Sequence, residues 1–236
     1  MRILFLDTSS KYLSLGLARD GKMLAQRHSL LDRRHSARLT LNIAALLKQA
    51  RLSLKDIDGF SVGKGPGSFT GLRIGITTIK GLAYIWNKPV VAIPSLDILA
   101  QGAKVLCRQK QCAYICPIVD AKQNKVYTSL YAFKNGAPKR ILAYALLPFE
   151  ALLARLPENV LFLGDALTLH DQQIKKSYAG EVHFAPQRYW YPRAPAGVDL
   201  SVARFSRGEC DDADRLVPLY LYPKDCQIKK VVGRRE

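Results

Sequence analysis

The sequence predicts an α/β protein with two lobes that share one plan of secondary structure. The first half opens with three strand-like segments and continues as alternating helices and strands over about residues 1–105. The second half, residues 106–236, also opens with strand-like segments and continues with helix and strand patterns in a reduced form. A plan that occurs twice along one chain indicates an internal duplication.

The first lobe begins with an antiparallel meander. "RILFLDTSS" is an apolar strand, and "YLSLGLARDGKMLAQRHSL" alternates around the turn pair Asp20-Gly21. We expect the first of these strands to be central in its sheet. A helix follows in "HSARLTLNIAALLKQARL". Its apolar residues recur at helical spacing: Leu39, Ile43, Leu46, Leu47 and Ala50.

The rest of the first lobe alternates between strands and helices. "DIDGFSVGKG" is a short strand that ends in glycines, and "TGLRIGITTIKGLAYIW" is a helix that Ser68 or Thr70 is expected to cap. "KPVVAIPS" is a strand, and "SLDILAQGA" is a short helix with Ser95 as its expected N-cap.

The second lobe has fewer and shorter elements. "AYICPIVDAKQNKVYTSLYAFKNGAPKRILAYALL" predicts three strands, with turns at residues 122–124 and at Asn135-Gly136. "PFEALLARL" predicts a helix, "NVLFLGDA" a strand, and "VDLSVARFSRG" a helix closed by Gly208. "YWYPRAPAG" is an aromatic, proline-rich loop, and "VPLYLYPKDC" is expected to dock on the fold.

Composition favours a globular, basic protein. Lys and Arg number 36 against 19 Asp and Glu, which leaves a net charge of +17. Such an excess favours contact with a polyanion, because neutralising phosphates releases counterions; the alternative is that the charge serves only solubility. The apolar runs are too short for a membrane span or a signal peptide, which predicts a cytoplasmic protein with no membrane contact. The five cysteines suggest neither a disulfide framework nor a metal site.

The stretch "GKGPGSFTGLRIG" is not a known phosphate loop. It lacks the Lys-Ser or Lys-Thr of a Walker loop, and Ser68 stands where a dinucleotide fingerprint has its third glycine. Gly65 and Gly67 shape the turn before the helix, which could hold an anion weakly. Gly71 and Gly75 lie inside the helix, where each costs about 1 kcal/mol relative to alanine. We therefore expect another backbone to approach them closely.

These glycines belong to a stripe of small residues, and the preceding helix carries a matching stripe. The stripes predict a partner interface at Ser36, Thr40, Ala44, Gly67, Gly71, Gly75 and Thr78. Packing of the two helices against each other within the chain would use the same stripes equally well. The residues alone leave both interpretations open.

Two acids end corresponding strands of the two halves, Asp7 in the first and Asp120 in the second. Facing each other across a cleft, they could hold a metal–phosphate or activate water, which predicts an active ATPase or phosphotransferase. The alternative is that each acid caps a turn by accepting a hydrogen bond from nearby backbone. The residues alone favour neither interpretation over the other. A ribonuclease-H-like nuclease needs several clustered acids, and the sequence offers too few beside Asp7.

Several segments together resemble one family. "ILFLDTSS", "RRHSARL", "DIDGFSVGKGPGSFTGLRIGITTIKGLA", "VVAIPSLDILA" and "PIVDAKQNKVYTSLY" are similar, in order and spacing, to the TsaB (YeaZ) family of bacterial tRNA threonylcarbamoyladenosine biosynthesis proteins. That family is related to the TsaD/Kae/glycoprotease-like proteins. The resemblance implies a duplicated actin-like ATPase fold, the fold of hsp70 and the sugar kinases, with two RNase H-like lobes.

The resemblance also implies partners. It implies a non-catalytic scaffold or activator that pairs with the catalytic subunit TsaD, is joined by the ATPase TsaE, and works on tRNA in the assembled complex. Members of the family pair through their first two helices, with TsaD or as a homodimer when alone. This favours the small-residue stripes as an interface.

The same resemblance implies that the chain has no catalytic residue, metal or cofactor of its own. The catalytic relative carries a His-x-x-x-His metal pair where this chain has Ser95 and Leu99, and these side chains cannot replace two imidazoles. ATP or ADP is expected at most at the interface with partner subunits. The expected relic of a nucleotide cleft comprises Asp7, Thr8, Gly65, Gly67, Ser68 and Asp120.

Overall fold

The chain folds into two lobes, each containing one β-sheet. The computed structural model describes residues 1–31 and 35–222, with side chains for all of these except residues 35–38. No helix in this part of the chain is both long enough and apolar enough to cross a bilayer.

The sheet of the first lobe has five strands. They are β1 (Arg2–Asp7), β2 (Tyr12–Arg19), β3 (Lys22–Leu30), β4 (Gly59–Gly63) and β5 (Val90–Ile93). Their order is β3-β2-β1-β4-β5, with the meander antiparallel and β4 and β5 parallel to β1. The predicted meander, its central first strand and its Asp20-Gly21 turn are confirmed. β1 is apolar almost throughout because a central strand is covered on both faces.

Three helices of the first half pack on this sheet: α1 (His35–Gln49), α2 (Phe69–Trp86) and α3 (Ser95–Gly102). Four residues of the predicted apolar stripe are buried on α1, and Ala50, just after the helix, is partly buried. Leu39 and Ile43 share a core with Ile76 of α2 and Leu4 of β1. Successive strand residues point to opposite faces. Phe5 therefore lies on the other face of the sheet, where it packs with Ile98 of α3.

The sheet of the second lobe has seven strands. They are β6 (Tyr114–Asp120), β7 (Lys125–Thr128), β8 (Tyr131–Lys134), β9 (Ala137–Arg140), β10 (Ala145–Pro148), β11 (Val160–Leu163) and β12 (Val182–Phe184). The main order is β10-β7-β6-β11-β12, with β8 also beside β6 and β9 beside β8. β11 is parallel to β6 and to β12, as in the corresponding part of the first lobe.

The second lobe has more strands than the sequence predicts, because five strands replace the expected three between residues 113 and 147. The chain breaks its pairing at residues 129–130, so that β7 pairs with the end of β6 and β8 with its start. At the break, the buried Ser129 hydroxyl donates to the carbonyl oxygen of Leu142 at 2.7 Å. The predicted turns at residues 122–124 and Asn135-Gly136 are confirmed by positive φ at every position.

Four further helices follow: α4 (Lys104–Gln109), α5 (Phe149–Leu153), α6 (Leu167–Ser177) and α7 (Ala194–Ser206). The sequence predicts α5 and α7 but misses α4, α6 and the short strand β12. α6 is mostly polar and buries only Leu167, His170 and Ile174, so its amphipathic signal is weak.

α7 packs in the core of the first lobe, although the sequence division assigns it to residues 106–236. Ala194 and Val198 pack with Phe5 and Val91, on the face of the first sheet that α1 and α2 leave free. Gly197 makes this possible, because a Cβ there would lie 2.2 Å from the ring of Phe5. The chain therefore returns from the second lobe to complete the first.

The C-terminal part of the described chain docks on both lobes, as predicted for "VPLYLYPKDC" up to Tyr222. The Leu219 N–H donates to the carbonyl oxygen of Lys64 at 2.7 Å. The Tyr222 hydroxyl donates to the carbonyl oxygen of Ala121 at 2.6 Å. The rest of that segment lies outside the described residues.

Candidate functional site

Asp7 is sealed inside the protein. Its side chain is 0% exposed. One carboxylate oxygen accepts the Ser9 N–H at 2.9 Å and the Ser9 hydroxyl at 2.7 Å, and the other accepts the Ser95 hydroxyl at 2.9 Å. Burial raises the pKa of the Asp7 carboxyl, and these hydrogen bonds oppose that rise. A carboxylate without exposed surface cannot coordinate a metal–phosphate.

The surroundings of Asp7 are built from small residues. A Cβ at Gly63 would lie 1.8 Å from an oxygen of Asp7, so only glycine leaves room for the carboxylate. The predicted N-cap role of Ser95 is wrong, since Pro94 is the N-cap of α3. The Ser95 hydroxyl instead links Asp7 to the turn, because it also accepts the N–H of Gly65 at 3.2 Å.

The glycine-rich turn is used within the chain. A Cβ at Gly67 would lie 2.1 Å from the carbonyl oxygen of Ser9, which accepts the N–H of Ser68 at 2.7 Å. Ser68 caps α2 as predicted, because its hydroxyl accepts the N–H of Gly71 at 3.2 Å. The N–H groups of Gly65, Ser68 and Gly71 are thus engaged internally, which leaves them poorly available to an anion.

Gly71 and Gly75 of α2 face the end of β1 rather than a partner. Both are buried. A Cβ at Gly71 would lie 2.1 Å from the carbonyl oxygen of Thr8, and one at Gly75 would lie 2.2 Å from the Thr8 hydroxyl. That hydroxyl donates to the carbonyl oxygen of Gly71 at 2.7 Å. The expected close approach of a backbone is correct and is made by Thr8 of the same chain, so the structure gives these two glycines an internal role. Their contact with a partner stays a prediction.

The other predicted interface residues have mixed positions. Thr40 and Ala44 on α1 are exposed, and Thr78 on α2 is partly buried. Gly67 packs against Ser9, as described above. The side chain of Ser36 lies outside the described residues, so its predicted contact stays a prediction.

The exposed surface of α1 and α2 is instead marked by large apolar residues that the sequence prediction missed. Leu41 of α1 is 68% exposed, and Tyr84 and Ile85 near the end of α2 are 85% and 71% exposed. Phe69 and Trp86 at the two ends of α2 are also partly exposed. We call Leu41, Tyr84 and Ile85 the exposed apolar residues of α1 and α2. The sequence could have indicated them, because they lie outside the apolar stripes by which α1 and α2 pack on the core.

Asp120 makes a turn rather than half of a catalytic pair. It accepts the N–H of Lys122 at 2.8 Å and forms an ion pair with the Lys122 ammonium at 2.5 Å. Burial pushes the pKa of Asp120 upward, but the hydrogen bonds and charge of Lys122 hold it below its usual value. Asp7 and Asp120 both accept the N–H of the residue two positions on. The turn-capping interpretation is therefore the one that the structure supports for both acids.

The acid beside Asp120 is Asp165, at the end of β11, which the sequence prediction missed. Its carboxylate accepts the N–H of Asp120 at 3.0 Å, and burial raises its pKa. The sequence does indicate Asp165, because it follows the predicted strand in "NVLFLGDA", just as Asp7 and Asp120 end the first strand of each half.

The residues expected to form a relic of a nucleotide cleft do not line one shared cavity: Asp120 lines a cavity of ≈ 410 Å³ beside α6, and Gly67 lines a separate one of ≈ 160 Å³ beside the C-terminal segment. Between the lobes, Ser9, Ser95, Asp165 and Trp190 line a cavity of ≈ 10 Å³. That is about the space needed for one water molecule. Thr8, Gly65, Gly67 and Ser68 make the internal contacts given above, and Asp7 lies beneath them.

Ser95 and Leu99, which stand where the resemblance implies a metal pair in the catalytic relative, are both buried. Each is only 2% exposed. Within the described ranges, no three His, Cys, Asp or Glu side chains are grouped so that they could share a metal ion.

Comparison with known proteins identifies the family. A family model described as "TsaD: tRNA N6-adenosine threonylcarbamoyltransferase" matches residues 29–194. The chain is 31% identical to the tRNA threonylcarbamoyladenosine biosynthesis protein TsaB of Bacillus subtilis, over 100% of both chains. The chain belongs to the TsaB family.

Solved structures agree with this assignment. YeaZ from Pseudomonas aeruginosa superposes with a TM-score of 0.78 at 28% identity, over 93% of this chain and 99% of that one. The activator of 2-hydroxyisocaproyl-CoA dehydratase from Clostridium difficile, with bound ADPNP, gives a TM-score of 0.50 at 11% identity over 88% and 95% of the two chains. The resemblance to the TsaB family and the actin-like ATPase fold predicted from the sequence are confirmed.

Proposed function

We propose that this TsaB-family chain is a non-catalytic subunit in the biosynthesis of threonylcarbamoyladenosine in tRNA, and that it activates the catalytic subunit TsaD by pairing with it. The observation that carries the proposal is the set of exposed apolar residues of α1 and α2. Isolated apolar side chains are common on protein surfaces, but three large ones on two helices of one sheet face favour a protein partner. The isolated chain uses the same residues to form a homodimer, and TsaE joins the assembled pair.

Two further observations support the absence of chemistry in this subunit. Asp7 has no exposed surface, and the ligand positions of the catalytic relative hold the buried Ser95 and Leu99. The net charge of +17 favours a place beside tRNA in the assembled complex, because tRNA is a polyanion.

The interface is tested by placing a charge on it. In the Tyr84→Asp and Ile85→Asp variants, pairing with TsaD should weaken by at least about tenfold, since a carboxylate would be desolvated at an apolar contact. Affinity is measured by titrating TsaD with each variant. Leu169→Asp is the matched control, because Leu169 is 63% exposed on α6, in the other lobe.

Activity is tested in the reconstituted system. The chain, TsaD, TsaE and the adenylate-forming enzyme are mixed with unmodified tRNA, threonine, bicarbonate and ATP, and modified adenosine is measured. Modification should depend on adding the chain and fall with Tyr84→Asp but not with Leu169→Asp. Modification that proceeds equally well without the chain would contradict the proposal, as would nucleotide turnover by the isolated chain that Asp7→Asn abolishes.

A further inference from the structure

A cavity of ≈ 390 Å³ lies between α3, the first turn of α7 and the loop before α7. This volume falls within the range of roughly 300–1,000 Å³ that is usual for small-molecule sites. Its apolar wall includes Ile98 and Leu99 of α3 and Ala196 of α7. The proposed pairing through α1 and α2 does not use this cavity, because α3 and α7 cover the opposite face of the first sheet.

Two aromatic side chains of the loop "YWYPRAPAG" form another wall, Tyr189 and Tyr191. Tyr191 is held by packing, since its ring centroid lies 4.7 Å from that of Tyr12, which in turn stacks on His28 at 4.6 Å. Tyr189 packs on the apolar cluster that α3 shares with the strands of the second lobe. Tyr191 is only 6% exposed, whereas Tyr189 is partly exposed and is the ring that a planar ligand can reach. An aromatic ring that is fixed by its neighbours offers a stacking surface at little entropic cost.

Two arginines also line the cavity, Arg188 and Arg193. Both side chains are exposed, and within residues 1–31 and 39–222 neither guanidinium has a carboxylate within 4.0 Å. A guanidinium presents a planar fork of donors that matches a phosphate. The start of α7, at Ala194, adds the positive end of a helix dipole to the same side of the cavity. The cavity therefore combines aromatic and apolar walls with two cations.

We infer that this cavity binds one nucleotide unit, with the phosphate at Arg188 and Arg193 and the base against Tyr189. The guanidinium carbon of Arg188 lies 5.1 Å from the ring centroid of Tyr189, so a phosphate at Arg188 and a base at Tyr189 would be neighbours. A neutral ligand would leave both guanidiniums without an anionic partner, and a phosphate alone would leave the exposed part of Tyr189 uncovered. A free nucleoside monophosphate and one nucleotide of a single RNA strand present the same chemistry, and the net charge of +17 favours the approach of either.

Calorimetric titration of the full chain with AMP, adenosine and ribose 5-phosphate tests this inference. AMP should bind at least about tenfold more tightly than either fragment, because each fragment lacks one of the two contacts. Arg193→Gln should weaken AMP binding by about tenfold or more. Arg155→Gln is the matched control, since Arg155 is an exposed arginine outside the cavity, and it should leave AMP binding unchanged.

A second variant separates this cavity from any other nucleotide site. Gly102 lines the cavity, and a Cβ there would meet only the Cβ of Ala196, at an ordinary contact distance of 3.7 Å. Gly102→Leu should therefore place a side chain in the cavity, so that AMP binding is lost, and a cooperative thermal transition measured by circular dichroism verifies that the variant is folded. AMP binding that survives Gly102→Leu at full strength would overturn the inference.

A labelled single-stranded oligoadenylate distinguishes the two sources of the nucleotide. If the oligomer binds but AMP does not, and Gly102→Leu and Arg193→Gln weaken the oligomer, the natural ligand is an RNA strand. If AMP binds with the same dependence on these residues, a free nucleotide suffices. If neither probe binds, the inference is wrong. These measurements use the chain without TsaD, so their failure leaves the proposed pairing intact.

Discussion

Asp7 illustrates how one buried residue holds a junction together. Its carboxylate accepts hydrogen bonds from Ser9 in the loop after β1 and from Ser95, the first residue of α3. An acid at the end of a strand has the same sequence signal whether it binds a metal or caps a turn. The complete burial of Asp7 separates the two cases, because a metal–phosphate needs access from solvent.

The raised pKa of Asp7 predicts a pH dependence of stability. Because the folded-state pKa exceeds the unfolded value of about 3.9, the contribution of Asp7 to stability is complete below that value and is lost as pH rises through the folded pKa. Asp7→Asn removes this titration. The melting temperature of Asp7→Asn minus that of the parent chain should therefore increase as pH rises from the acid side to neutrality, measured by circular dichroism.

Asp120 serves as a control, because its effect on stability should depend on pH in the opposite direction. Its folded-state pKa is lowered, so its contribution is present above the unfolded value and is lost as pH falls through the folded pKa. Asp120→Asn should therefore become less destabilising as the solution is acidified. For Asp7, the contrary result would be that the melting temperatures of the parent chain and of Asp7→Asn change in parallel with pH. Asp7 would then not be held as the structure indicates.

At the scale of elements, α2 has a face that only glycine can supply. Gly71 and Gly75 allow the helix to pack directly on the backbone and hydroxyl of Thr8. This contact brings the start of α2 against the end of β1, and the Ser68 cap and the Ser9 carbonyl continue it through the turn. The interior glycines therefore serve the fold of the subunit, while its exposed apolar residues are free to contact a partner.

The packing of α2 predicts opposite effects for two glycines of one helix. Gly71→Ala should lower the free energy of unfolding by about 1–3 kcal/mol, because its Cβ would overlap the Thr8 carbonyl. Gly81→Ala should raise it by up to about 1 kcal/mol, since a Cβ there meets nothing within 4 Å and alanine favours a helix. Urea denaturation measures both. Equal effects of the two changes would contradict the packing described for α2.

At the scale of the whole molecule, the two lobes are joined by polar contacts as well as by the return of α7. Asp97 of α3 accepts the hydroxyl of Tyr131 at 2.5 Å and that of Tyr144 at 2.8 Å, both from the second lobe. Burial raises the pKa of each tyrosine, and the charge of Asp97 raises it further. Both hydroxyls therefore stay protonated and donate to the carboxylate across the lobe junction.

Removing this junction should destabilise the whole molecule. Asp97→Ala leaves two partly buried hydroxyls without their acceptor, which should lower the free energy of unfolding by about 1–3 kcal/mol in urea. Asp199→Ala is the control, because Asp199 pairs with Lys104 at an exposed position, where an ion pair contributes at most about 1 kcal/mol. If the two variants lose equal stability, Asp97 does not join the lobes in the way described.

Much of the fold could be predicted from local pattern. Alternation, turn pairs and helical spacing identified the meander, α1, α2 and the hairpin at Asn135-Gly136, because each of these depends on residues close together in the chain. The order and spacing of several short segments, "GPGSFTGLRIG" among them, indicated the TsaB family. The polar helix α6 and the break between β7 and β8 escaped prediction, since their local patterns are weak.

The sequence by itself determined which residues could matter, and the tertiary structure decided what they face. Gly71, Gly75 and Asp7 were singled out correctly as unusual, but glycine is needed equally at a partner contact and at an internal one. Burial depends on residues far away in the chain, such as Thr8 beside Gly71 and Ser95 beside Asp7. The same holds for α7, whose apolar face matches the first sheet only once the chain has returned to it.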